Sequence, residues 1–153
     1  MITWQEIDDA IGRIITESLN AAGYPAARIR NDVSEPIARR SYRIDLSNTD
    51  DMGTEIYAER GMDIEIYYYP QEKERPKDEL NEVSQLLKAA LRSGVAVSDM
   101  QIELSDSIEA DVSDGILALM FRLEWIETAE EEGETMNELI FNEKEVVNGG
   151  YDA

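Results

Sequence analysis

Carboxylates are the only side chains abundant enough in this sequence to suggest chemistry. The chain carries 34 acids against 14 bases, and it has neither histidine nor cysteine. The commonest general base and metal ligand is therefore missing, and so are thiolate nucleophiles and disulfides. What remains is oxygen chemistry, in which grouped acids hold a hard cation such as Mg²⁺ or Ca²⁺. The densest groups are Asp50-Asp51, Asp111 to Asp114, and Glu130-Glu131-Glu132. In so acidic a chain, groups like these arise by chance. The run Asp106-Ser107-Ile108-Glu109-Ala110-Asp111 lacks the spacing and the central glycine of an EF-hand loop. No P-loop, G-x-G-x-x-G or G-x-S-x-G is present. The expectation is no catalytic residue, no metal site and no cofactor.

Two other constellations invite a binding role. Arg39-Arg40 is a basic pair in an acidic chain, better suited to a surface salt bridge than to a phosphate. Tyr67-Tyr68-Tyr69 has one member facing inward by alternation. Its outward members, Tyr67 and Tyr69, belong either to a packing patch beneath a helix or to an interface, where tyrosine is enriched. With Asp50 and Asp51 they are candidate partner contacts.

The formal net charge of −20 repels nucleic-acid phosphates and suits a neutral or basic protein partner. Hydrophobic residues make up 42% of the 153 positions, enough for one domain with a sizeable core. No apolar run is long enough to span a bilayer, and the N-terminus has no signal-peptide core. The simplest expectation is a protein made in the cytosol.

The elements that position these residues centre on Gly61 to Pro70. Met62, Ile64, Ile66 and Tyr68 alternate with Asp63, Glu65, Tyr67 and Tyr69, which predicts a strand with one apolar face, stopped by Pro70. Gly61 suggests a bulge or kink. Upstream, Trp4, Ile7, Ile11, Ile14, Ile15, Leu19 and Ala22 form one stripe of a helix over Thr3 to Ala22. Thr3 and Glu6 predict a capping box, Gly23 a C-terminal cap, and Asp8 reaches water at the stripe's edge. Arg28 to Val33 and Ser41 to Leu46 read as short strands joined through Asp32 to Pro36. Asn48 to Gly53 reads as a loop, and Ile56 to Arg60 as a strand running into the central one.

Downstream, Pro76 opens a second helix whose stripe is Leu80, Val83, Leu86, Leu87, Ala90 and Leu91. Asp78 and Glu79 complement its dipole, and Gly94 ends it. Met100 to Val112 and Leu117 to Trp125 predict two long strands of a hairpin turned at Asp114-Gly115. The fold class expected is α+β: a mixed, mostly antiparallel sheet with a long C-terminal hairpin and two amphipathic helices on one face. Residues 1–126 form one domain. Residues 127–153 begin as an acidic linker, Glu127 to Glu134, and end in an apolar segment with Met136, Leu139, Ile140 and Phe141. That segment docks either on its own core or on a neighbouring subunit.

Several segments in this order resemble the phage tail terminator family of phages and prophages of Gram-positive bacteria. Asp63 to Pro70 looks like that family's D-I-x-Y-F-P strand. Asp111-Val112-Ser113-Asp114-Gly115-Ile116-Leu117 is similar to its hairpin turn, Arg28 to Leu46 to its early strand pair, and Met136 to Val147 to its closing segment. The likeness runs from Ile7 to about Val147. It departs at Arg39-Arg40-Ser41-Tyr42, where a proline would precede the aromatic.

The resemblance implies a lambda-type fold and a structural protein of the virion without enzymatic activity. It implies a ring, usually a hexamer, that caps the tail-tube protein and joins the head connector. The charge of −20 predicts a monomer or a weak ring for the free chain. Other readings stand beside it: another connector or tube adaptor, an acidic DNA-mimic inhibitor, and, last, a carboxylate-metal hydrolase.

Overall fold

The computed structural model describes residues 1–30 and 39–128. Helix α1 spans Trp4–Ala21 and starts at the expected capping box. The Thr3 hydroxyl accepts from the Glu6 amide at 3.1 Å, and the Thr3 amide donates to Glu6 Oε1 at 2.8 Å. It ends where Gly23 adopts φ +86 and the Tyr24 amide donates back to the Leu19 carbonyl at 2.8 Å. Ile7, Ala10, Ile11, Ile15 and Leu19 are buried. The two ends of the expected stripe are not: Trp4 is 51% exposed and Ala22 lies at the surface. Ile2 just before the helix and Tyr24 just after it take the places against the core instead. Asp8 is not simply solvated, because Arg28 pairs with it at 2.6 Å. Gly12 makes room for this, since a Cβ there would stand 2.6 Å from Arg28 Nη1.

The remaining elements are β1 (Ala27–Arg28), β2 (Ser41–Thr54), β3 (Tyr57–Tyr69), α2 (Lys77–Leu91), β4 (Val95–Val97), β5 (Met100–Ile102), β6 (Glu109–Ser113) and β7 (Ile116–Thr128). One sheet runs β1-β2-β3-β7-β6, and β4 pairs with β5 in a small second sheet. The β1–β2 pair is parallel and the β6–β7 pair antiparallel. The fold is α+β, with a mixed, mostly antiparallel five-stranded sheet and a C-terminal hairpin, as expected.

The core is one cluster. Met62, Ile64, Ile66 and Tyr68 of β3 and Leu117, Leu119, Phe121, Leu123 and Trp125 of β7 meet the helix residues, including Leu80, Val83, Leu87 and Leu91 of α2. Burying each large aliphatic side chain contributes about 1.5–3 kcal/mol. Tyr42 enters this core with its hydroxyl satisfied. It donates to the Gly12 carbonyl at 3.2 Å and accepts from Thr16 at 2.7 Å.

Three expectations are corrected. Asn48 to Gly53 is strand, not loop, because β2 continues to Thr54 and turns at Glu55-Ile56. The polar composition mimics a loop, while pairing with β3 supplies the ladder that composition cannot reveal. Gly61 has no positive φ, and a Cβ there would lie 2.8 Å from Arg122 Nη2, so it leaves room for that side chain. The strand expected over Met100 to Val112 is broken. β5 turns back onto β4, a strand the periodicity missed, and Leu104, Ser105 and then β6 meet β7. Finally, Glu127 and Thr128 belong to β7 rather than to a linker. The Asp114-Gly115 turn is as expected, with φ +54 and +73 between the paired Ser113 and Ile116.

By contact the chain forms two compact units. One holds residues 2–50 and 61–125; the other holds Met1 and 51–60 with the end of β7.

Candidate interaction surface

Among the described residues, the helices cover one face of the sheet and no helix covers the other. Alternation along β3 places Asp63, Glu65 and Tyr67 there, all half-buried. Alternation along β7 places Ala118, Met120, Arg122 and Glu124 beside them.

Arg122 organises this face. Its Nη1 donates to Asp63 Oδ1 at 2.9 Å and to the Asn48 carbonyl at 3.2 Å, and its Nε donates to Glu124 Oε2 at 2.9 Å. Its Nη2 pairs with Asp50. Asn48 closes the circuit by donating to Asp63 Oδ2 at 2.7 Å. Asn48 itself has φ +48, a conformation that asparagine tolerates better than most residues. The Asn48 amide and then Arg122 hold the Asp63 carboxyl below its ordinary range. Hydrogen bonds to Asp63 and Glu124 in turn raise the Arg122 pKa and keep its charge.

A second circuit ties α2 to β3. Glu79 Oε2 accepts from the Tyr68 hydroxyl at 2.5 Å, Arg40 Nε at 2.9 Å and the Gln71 amide at 3.1 Å. Burial opposes ionisation of Glu79, but the Tyr68, Gln71 and Arg40 donors outweigh it and its pKa is lowered. Burial, with the bond to Glu79 next, pushes the Tyr68 hydroxyl far up.

The expected contact residues fall in different places. Tyr67 is on the Arg122 face, with its hydroxyl donating to Glu65 at 2.7 Å and the Arg43 guanidinium 4.6 Å from its ring centroid. That bond to Glu65 raises its pKa. Tyr69 is not at the surface: only 4% of it is exposed, and it is not part of the core cluster. Pro70 beyond it is buried too, with its carbonyl accepting from Arg39 at 3.3 Å. Asp50 and Asp51 are both exposed, and Asp50 is tied to Arg122. Met136, Leu139, Ile140 and Phe141, like Asp32 to Pro36, lie outside the described residues. Arg40 is a salt-bridge partner, as expected, through Glu79.

Sequence reasoning missed Arg122, Glu79 and Asn48. Arg122 had a readable signal, as the one base in the apolar run Ile116 to Trp125. Glu79 looked like a dipole residue, and nothing in its neighbours announced Tyr68. Among the described residues, no three acids are grouped to hold a metal ion. A hollow is lined by Glu6, Asp9, Ala10, Arg13, Ala96, Val97 and Ser98. No described helix is long and apolar enough to cross a membrane.

What this arrangement offers is ordered surface: a sheet stiffened by ion pairs on one face and by helices on the other. That is the character of a structural module. The phage tail terminator protein family matches the chain over residues 6–135, and the chain belongs to that family. It is a family of structural tail components, not of enzymes. The likeness noted at Met136 to Val147 lies beyond the matched residues. No curated protein matches the chain.

Proposed function

We propose that this protein caps the tail tube of a phage or prophage of a Gram-positive host. It forms a ring, most simply a hexamer, on the last ring of the tail-tube protein. It stops polymerisation there and presents the surface that the head connector joins. The family match over residues 6–135 carries this reading. Its place is the head-proximal end of the tail in the virion, after assembly in the host cytoplasm.

Physical arguments support the details. A tube of stacked rings is a heterologous assembly and grows until its exposed face is blocked. A terminator must fit the tube on one face and must not stack on itself. A net charge of −20 disfavours stacking of its own rings until the tube supplies specific contacts. It also keeps passing DNA from adhering to the ring, since like charges repel.

Deletion of the gene is the test. Phage without it should make overlong or unattached tails beside DNA-filled heads. Tails of normal length joined to heads in that deletion would end the proposal.

A further inference from the structure

Besides Met1, four large apolar residues stand exposed among the described residues of the smaller unit. They are Met52 at 66%, Ile56 at 67%, Tyr57 at 38% and Ile126 at 53%. Three neighbouring elements carry them: the end of β2, the turn and start of β3, and the end of β7. Three of the four share one side of the sheet. Arg60 and Glu127 pair across β3 and β7 at 2.9 Å, which fixes the side those two occupy. Ile126 is one residue from Glu127, and Tyr57 is three from Arg60. Period-2 alternation therefore turns both to the other side. Met52 is two residues before Thr54, which flanks the same two-residue turn as Tyr57, so it joins them. Ile56 sits at the turn beside them.

We propose that this patch is the docking site of the chain's own C-terminal segment, Met136 to Val147. The segment carries Met136, Leu139, Ile140, Phe141, Val146 and Val147, six apolar side chains in twelve residues. It follows β7 through residues 129–135, a linker rich in glutamate with one glycine. Seven residues span up to roughly 25 Å when extended. The patch crosses three adjacent strands, about 10 Å, and Ile126 lies two residues before the linker's β-strand anchor ends. The segment can therefore fold back onto it. Tethering gives an effective concentration of about a millimolar for so short a link. A second copy must instead approach against a charge of −20 on each chain. Both terms favour the chain's own segment. The patch lies within the matched family region, which stops at residue 135, and the docking segment lies beyond it. This docking stands independently of the capping role.

The chain has no cysteine, which makes a thiol test clean. In the full chain, Ile56→Cys paired with Leu139→Cys should oxidise to an intramolecular disulfide. The rate should not depend on protein concentration, and it should be at least tenfold above that of Ala89→Cys with Leu139→Cys, where Ala89 is exposed on α2. Ile56→Cys alone should react with a small thiol reagent at least fivefold faster once Met136, Leu139, Ile140 and Phe141 are changed to serine. Equal oxidation rates for the two pairs would overturn the proposal, as would unchanged thiol reactivity. Cross-linked dimers in place of the intramolecular product would also overturn it, by placing the segment on a second copy.

Discussion

The Tyr68 hydroxyl donates to Glu79 Oε2 at 2.5 Å, and this contact joins the central strand to the first turn of α2. Arg40 and the Gln71 amide meet the same oxygen. Replacing Glu79 with alanine strands a buried hydroxyl and leaves Arg40 unpaired on that side. A hydrogen bond to a charged group contributes about 1.5–3 kcal/mol, and the loss should fall in that range. Urea denaturation at pH 7 measures it; a change within experimental error would show the circuit to be ornamental.

The same residue sets a pH dependence. The lowered Glu79 pKa means the folded chain holds the carboxylate more strongly than the unfolded chain does. That contribution is fully present above the ordinary glutamate value of 4.5 and is lost as pH falls through the lowered native value. The stability gap between wild type and Glu79→Gln should be constant near neutrality and shrink below about pH 4.5. Denaturation curves across pH 3–7 show this directly, and a gap that widened on acidification would reverse the assignment.

Arg122 lies among Asp50, Asp63 and Glu124 on a partly exposed face. Exposed ion pairs are each worth about 0–1 kcal/mol and weaken with salt. Arg122→Gln should therefore cost on the order of 1 kcal/mol, less in 1 M salt, and should raise the Asp63 pKa. The mutant should also lose amide-exchange protection around Asn48, whose carbonyl Arg122 holds. Unaltered exchange there would mean β2 keeps its shape without the arginine.

Two glycines with similar backbone angles should differ sharply on mutation. Gly23 has φ +86 with nothing within 4 Å of an added Cβ, whereas Gly94 has φ +95 with the Ile102 carbonyl 2.3 Å away. Gly23→Ala should cost about 1 kcal/mol, the ordinary penalty for a left-handed alanine. Gly94→Ala adds a backbone clash and should cost clearly more. Thermal melts of the two variants make the comparison, and equal costs would refute the clash.

Truncation after Thr128 should leave a cooperative melt, because every residue of the described core precedes that point. Calorimetry of the truncated chain should show one transition within a few degrees of the parent. Loss of cooperativity would place Met136, Leu139 and Phe141 in the core.

Local chemistry alone determined much of this protein. The capping box at Thr3 and Glu6, the Asp114-Gly115 turn, the alternation of Met62 to Tyr68 and the stripe of α2 depend on near neighbours in the chain. So they were legible in the sequence. Absence of histidine and cysteine narrowed the chemistry before any fold was known.

Tertiary structure decided what depends on distant partners. Asn48 to Gly53 became strand because β3 lies beside it. Tyr69 is buried although alternation puts it on the side opposite Tyr68. Arg122 gathers Asn48, Asp50 and Asp63 from positions more than fifty residues away. Glu79 found Tyr68 only once α2 packed on the sheet. A residue's spacing records which face it takes, but it carries no record of which distant strand or helix will stand opposite. Long-range packing alone supplies that, and with it the Arg122 face of this sheet.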